Sequence, residues 1–262
     1  HRDLHSFPTR RSSDLNLSED GVTIRRRLFH GIPLLRSRPC ARGFHLWRKG
    51  NAGDHIMINA VLYIHGKDGN AAEADHYKEL FPFCDVFGLD YKNDTPWAAG
   101  DEIREAARSL SVKYENVILV ANSIGAFLSM HADIEKEIAH AYFISPIVDM
   151  ESLIIDMMRR VKVTESELRE KGVIKNDFGE ELSWEYLCYI RNNPILWNVP
   201  TDILYGSEDV MTSIDIVTTF AEKHNGRLTV MDGGGHWFHT EAQMRFLDAW
   251  IRKTIGCRGD CL

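Results

Sequence analysis

The chain has 262 residues, 44% hydrophobic and 26% charged, enough for one large globular domain with its own core. It has no run of about 18 uninterrupted apolar residues and no apolar N-terminal core, so neither a membrane span nor a secretion signal is expected. The net charge of −7 divides unevenly: residues 1–56 carry eleven Lys and Arg against five Asp and Glu, and the remainder carries 20 against 33.

Such asymmetry can mark a nucleic-acid-binding arm, here through Arg25 to Arg27. The N-terminal residues point elsewhere. Residues 6–15, SFPTRRSSDL, resemble one reading frame of a common sequencing-library adapter. Residues 16–56 have no sustained helical or strand period. The stretch 1–56 is therefore read as a non-native or disordered extension, with Met57 as the natural start and no nucleic-acid partner. The five cysteines (Cys40, Cys84, Cys188, Cys257 and Cys261) are scattered and form no C-x-x-C pair. A metal site or disulfide framework is not expected, and a reducing, cytoplasmic compartment suits them.

From Met57 onward, apolar runs of strand length alternate with segments of helical period, the pattern of a parallel sheet covered on both faces. Ala60 to Ile64 (AVLYI) reads as a buried strand ending in a glycine turn, and 71–81 as a helix carrying Ala74, Tyr77 and Phe81. Asp85 to Leu89 is a second strand. Ile103, Ala106, Ala107 and Leu110 place a helix over about 97–113. Val117 to Val120 (VILV) is wholly apolar, as a central parallel strand should be. Ile124, Phe127, Leu128 and His131 make the next helical stripe, and Ala141 to Ile144 the next strand.

Residues 147–198 break the alternation. They are charged, aromatic and suited to several short helices. Strands at Ile203 to Tyr205 and Leu228 to Met231 restore the rhythm, and a final helix is expected over about 239–254. The tail 256–262 reads as frayed, its R-G-D triplet (Arg258 to Asp260) as chance.

Four short motifs fall at strand ends. The first strand leads into His65, Gly66, Lys67, Asp68 and Gly69. The VILV strand leads into A-N-S-I-G (Ala121 to Gly125), directly before a helical stripe. Gly206, Ser207, Glu208 and Asp209 follow the ILY strand, and D-G-G-G-H, ending at His236, follows LTVM. Each has a plain structural alternative. Ser123 could cap a helix; His65 could pack a loop; His239 rivals His236, and Glu208 and Asp149 rival Asp209.

Taken in this order, the motifs resemble those of the α/β-hydrolase family over nearly all of 57–255. The resemblance implies a mostly parallel sheet with helices on both faces, and 147–198 as a small helical lid. It implies Ser123 as nucleophile on a strand-to-helix elbow where Ala121 and Gly125 must be small, and Ala121 departs from the family's glycine there. It implies His236 as base, Asp209 as orienting acid, and the backbone N–H groups of Lys67 and Ile124 as the oxyanion hole, supported by His65 and Gly66. The activity implied is acyl transfer to water with a small-molecule acyl substrate and no cofactor or metal, a carboxylesterase first. The alternatives are a small-peptide hydrolase and a non-catalytic binding protein on the same fold. Oligomeric state is not legible.

Overall fold

In the computed structural model, residues 59–175 and 181–259 are described. The adapter-like segment, Arg25 to Arg27 and the Met57 start lie outside the described residues, as does the end of the R-G-D triplet.

Six strands form one sheet in the order β2-β1-β3-β4-β7-β8, every neighbouring pair parallel. The strands are β1 (Asn59–Ile64), β2 (Cys84–Leu89), β3 (Asn116–Asn122), β4 (Ile138–Ile144), β7 (Thr201–Gly206) and β8 (Arg227–Met231). All six residues of β1 are buried, as are the middle five of β3, because helices cover the sheet on both faces. On one face lie the helices α1 (Pro96–Ser111), α2 (Ile124–Met130) and α6 (Ile214–Lys223). A 3-10 helix (Ala71–Glu79) and α7 (Glu241–Gly259) cover the other.

Side-chain alternation along the strands divides the core accordingly. Leu62, Ile64, Leu119 and Ala121 join the first layer, and Val61, Tyr63, Ile118 and Val120 the second. Helix α1 shows why such segments are helical. Proline stands in its first turn, where no N–H is needed, and Ala99, Ile103, Ala107 and Leu110 make one buried stripe. Burying a side chain such as Ile103 completely contributes about 2 kcal/mol.

The chain leaves β1 for β2 at one edge, then crosses back through α1 to β3 on the other side of β1. From β3 the order runs outward to β8. The direction of winding thus reverses between β1 and β3, and the crevice at their carboxyl ends is where open parallel sheets bind ligands.

Between β4 and β7 the chain forms α3 (Met150–Arg160), α4 (Glu165–Lys171), a hairpin of β5 (Val173–Lys175) with β6 (Glu181–Ser183), and α5 (Trp184–Asn192). Helix α5 packs onto α1 through Trp97, whose ring lies 5.1 Å from Tyr189 and 5.9 Å from Tyr186. At the far end of the sheet Asp202 is buried. It accepts bonds from Arg227 Nε and Nη2 (2.7 Å each) and pairs with His140 Nε2 at 3.0 Å. Burial alone would raise this carboxyl, but the His140 and Arg227 hydrogen bonds outweigh it and hold it at about 2.

Some elements depart from the sequence expectation. Residues 71–79 are 3-10 rather than α, so Ala74, Tyr77 and Leu80, three apart, make the buried stripe, and the expected Phe81, just past the helix, is fully buried beside them. The β5–β6 hairpin and α6 were not foreseen. The strands of that hairpin have three residues each, too short to show a period. Helix α6 contains β-branched Ile214, Ile216, Val217, Thr218 and Thr219, which weaken a helical signal. Helix α7 runs on to Gly259, past the expected end near 254.

Candidate active site

Ser123 stands between the last residue of β3 and the first of α2 with φ 48° and ψ −118°. A side chain in this region of backbone space costs about 1–3 kcal/mol and persists only where its surroundings hold it. Here the Ser123 N–H donates to Ile144 O at 3.0 Å, and its carbonyl accepts from Ala126 N (3.2 Å) and Ile147 N (3.1 Å). Gly125 is required by contact. A Cβ there would lie 2.4 Å from His65 O and 2.7 Å from Ile64 O, so α2 begins pressed against the end of β1. Ala121 is fully buried in register with Ile64, its methyl group part of the core. The Ser123 hydroxyl does not cap α2. It lies 2.8 Å from His236 Nε2 instead.

His236 Nδ1 is 2.7 Å from Asp209 Oδ2, and the Asp209 side chain is wholly buried. The other carboxylate oxygen, Oδ1, accepts from Met211 N at 2.8 Å and Thr212 N at 3.2 Å. A carboxylate so engaged can only accept, so the imidazole proton belongs on Nδ1 and Nε2 faces the serine with its lone pair. Hydroxyl, imidazole and carboxylate form one hydrogen-bonded line from three loops. Such a line can pass the hydroxyl proton to the imidazole while the carboxylate stabilises the resulting cation.

The two outer loops are joined by main chain. Ser207 N donates to Met231 O (2.9 Å) and Glu208 N to Gly234 O (2.8 Å). Gly206 has no room for a side chain, since a Cβ would meet Gly234 O at 2.3 Å. Tyr205 OH closes the acid loop onto Thr212 O at 2.7 Å.

The rival residues go elsewhere. Asp149 caps α3, accepting from Ser152 N at 2.9 Å and Ser152 Oγ at 2.7 Å. His239 Nδ1 turns to the nearby Trp237 O at 2.8 Å, and the Glu208 side chain is exposed. His65 packs the loop. Its ring stacks on Tyr91 at 4.2 Å, its Nδ1 donates to Gly66 O at 2.7 Å, and its carbonyl accepts from Tyr91 OH at 3.0 Å.

Gly66 lies against Ser123: a Cβ placed on it would be 3.3 Å from Ser123 Cβ. Lys67 follows on the exposed loop, and Ile124 opens α2. Neither N–H bonds to another main-chain group among the described residues.

Sequence reasoning missed Tyr91 and a hydrogen-bonded chain under the same loop, centred on the buried Tyr63 and ending at the exposed Glu73. In that chain Tyr63 OH donates to Glu73 Oε2 at 2.5 Å and accepts from Asn122 Nδ2 at 3.2 Å. Tyr63 carried the signal, since a tyrosine in a wholly buried strand must find a partner for its hydroxyl.

A cavity of about 470 Å³ opens beside His236, walled by Glu208, Val210, Trp237 and His239. A second, of about 520 Å³, lies among α2, α3, α5 and α6 and touches none of the three aligned residues. Among the described residues no three His, Cys, Asp or Glu side chains are gathered as metal ligands would be, and no helix is long and apolar enough to cross a membrane.

No protein-family model matches the sequence, and no curated protein matches it. Solved structures do. Est1E from Butyrivibrio proteoclasticus is similar at TM-score 0.61 and 14% identity, over 76% of this chain and 88% of that one. The mouse alpha/beta hydrolase domain-containing protein 10 is similar at 0.59 and 18%, over 75% and 89%. A lipase-esterase related protein from Clostridium acetobutylicum is similar at 0.53 and 15%, over 77% and 96%. Identities this low speak for architecture alone, and they agree with the strand order and the strand-end loops: the chain has the α/β-hydrolase fold.

Proposed function

We propose that the protein is a serine hydrolase cleaving an ester, thioester or amide through an acyl-enzyme, with carboxylic esters of small molecules as its first substrate class. The observation that carries this reading is the line from Ser123 Oγ to His236 Nε2 to Asp209 Oδ2, with contacts of 2.8 and 2.7 Å. Ser123 Oγ attacks the substrate carbonyl carbon while its proton passes to His236 Nε2. The carbonyl oxygen becomes an oxyanion that accepts from Lys67 N–H and Ile124 N–H, the latter at the positive end of α2. Collapse breaks the bond to the leaving group, which takes the proton back from His236. Water then attacks the acyl-serine by the same route, releasing the carboxylic acid and restoring Ser123.

The rim favours an apolar substrate arm. Val210 and Trp237, 79% and 73% exposed, flank the loops of the acid and base, where a lone domain gains nothing from them. In this reading the segment 147–198 serves as the lid, since α3 begins just beyond the strand end next to Ser123. The free thiols Cys84 and Cys188 suit the cytoplasm as its compartment. The descriptions of similar structures as hydrolase and lipase-esterase related support the reaction class.

The test is labelling by a fluorophosphonate, which bonds an activated serine. Wild type should label and Ser123→Ala should not. His236→Ala should lose most activity on p-nitrophenyl acetate, whereas His239→Ala keeps it. A folded wild type that neither labels nor hydrolyses any ester, thioester or anilide would leave a binding protein in place of an enzyme.

A further inference from the structure

The β1–β3 ladder ends at the pair Ile64 and Ala121, and beyond it the two chains diverge. One enters the loop carrying Lys67, and the other enters the turn carrying Ser123 and Ile124. Their separation past the ladder sets where the two N–H groups point. Side chains tie them together on the α7 face of the sheet. Asn122, immediately before the nucleophile, donates from Nδ2 to Tyr63 OH at 3.2 Å. Tyr63 OH gives its only proton to Glu73 Oε2 at 2.5 Å. Glu73 Oε1 in turn accepts from Asn70 N at 3.2 Å, at the far end of the Lys67 loop, while Asn70 Oδ1 caps Ala72 N at 2.9 Å.

Its order is fixed by chemistry. The carboxylate can only accept, so Tyr63 must donate to it, and the tyrosine oxygen is then left to accept from Asn122. The near end of the loop is held separately, by Tyr91 on His65.

We propose that Tyr63 is a positioning residue for acyl transfer: bridging Asn122 and Glu73, it sets the distance between the Lys67 and Ile124 N–H groups. The proposal rests on the reading of those two groups as oxyanion donors. Tyr63 touches neither substrate nor the reacting atoms, and acts through the backbone of 70–73 and 122. Its hydroxyl is buried in the sheet, where a shift of well under an ångström passes directly to the loops. Burial, with Tyr77 and Glu73 beside it, pushes the phenol far above its ordinary range, so the proton that orders the chain persists across any assay pH.

Removing one oxyanion donor outright costs roughly a hundredfold to a thousandfold in turnover. Loosening its placement should cost about tenfold, since misplacement by 1 Å costs about a hundredfold. The experiment uses the full chain as wild type, Tyr63→Phe, Asn122→Ala and the double variant. Active sites are titrated with a fluorophosphonate. On p-nitrophenyl acetate kcat and KM are measured, together with inhibition by phenylboronic acid, which forms a tetrahedral adduct on the serine.

Tyr63→Phe is expected to lower kcat per titrated site about tenfold, with KM within about twofold and boronate affinity falling alongside kcat. Asn122→Ala should match it, and the double variant should lose no more than either single change, because all three break one chain. Wild-type kcat and boronate affinity in Tyr63→Phe would overturn the proposal, as would losses that multiply in the double variant. If Tyr63→Phe does not fold, Asn122→Ala carries the test alone, and wild-type values there overturn it. An unlabelled, inactive wild type would instead overturn the hydrolase reading, a result distinct from any of these.

Discussion

Replacing Gly125 with alanine adds one methyl group at a crowded point beneath Ser123. That carbon would sit 2.4 Å from His65 O, 2.7 Å from Ile64 O and 3.1 Å from Ile64 C. Carbon and carbonyl oxygen do not approach closer than 3.0 Å, so α2 and the end of β1 must part by at least about 0.6 Å. All three contacted atoms are main chain, those of Ile64 at the paired end of β1 and that of His65 held by Tyr91 OH, so no side chain can swing away. The cost is that of overpacking, about 1–3 kcal/mol of stability. The displacement also falls on the Ile124 N–H, one residue earlier, and should lower kcat by about tenfold to a hundredfold. Urea unfolding measures the first effect, and p-nitrophenyl acetate turnover per titrated site the second. A Gly125→Ala protein with wild-type stability and turnover would refute the packing argument and the assignment of Ile124 together.

Other outcomes follow from the same geometry. Asp209→Asn should lower kcat by about 10³–10⁴-fold with little change in KM, because the imidazole loses the acceptor that fixes its tautomer. Asp149→Ala should leave turnover intact and cost about 1 kcal/mol through loss of the α3 cap, as steady-state kinetics and urea unfolding would show. Acid should act through His131, whose imidazole burial lowers from 6.5 to about 4. The unfolded chain then takes up a proton that the folded one refuses, so stability is level above about pH 6.5 and falls as pH drops toward 4. From pH 7 to pH 5 this is worth about 2 kcal/mol. His131→Phe should flatten that part of the profile in urea titrations at the two pH values, and an unchanged difference would exclude the residue.

The parts of the site that were legible in the sequence are those that use short-range signals. Ser123 follows an apolar strand and precedes a helical stripe, and His236 ends a run of three glycines, so local pattern alone marks both. Their rivals were separable only by geometry. Nothing local says that Asp149 turns back onto Ser152, or that His239 bonds within its own loop. The Asn122–Tyr63–Glu73 chain joins residues 59 and ten positions apart and depends on which face each side chain takes, so the sequence marks Tyr63 as needing a partner but not which residues supply it. In the fold, alternation gave away the central strands. The helix at 71–79 was foreseen but not its 3-10 form, while the three-residue strands and the β-branched α6 stayed hidden because their periods are short or their propensities oppose the element they form.

Two bonds that hold the Gly206–Asp209 loop to the end of β8 and the Asp232–His236 loop, Ser207 N to Met231 O and Glu208 N to Gly234 O, are made by peptide groups, and a third, Gly233 N to Ser207 Oγ at 2.8 Å, uses the serine side chain. Asp209 and His236 are therefore mounted on one bracket that depends on few side chains, that of Ser207 first among them. Directed variation at Val210, Met211 and Trp237 can then reshape the mouth of the site while the Ser123–His236–Asp209 line stays in place, provided Gly206 keeps its closeness to Gly234. Transplanting one of the two loops alone into a related scaffold should fail, and moving them as a pair should succeed.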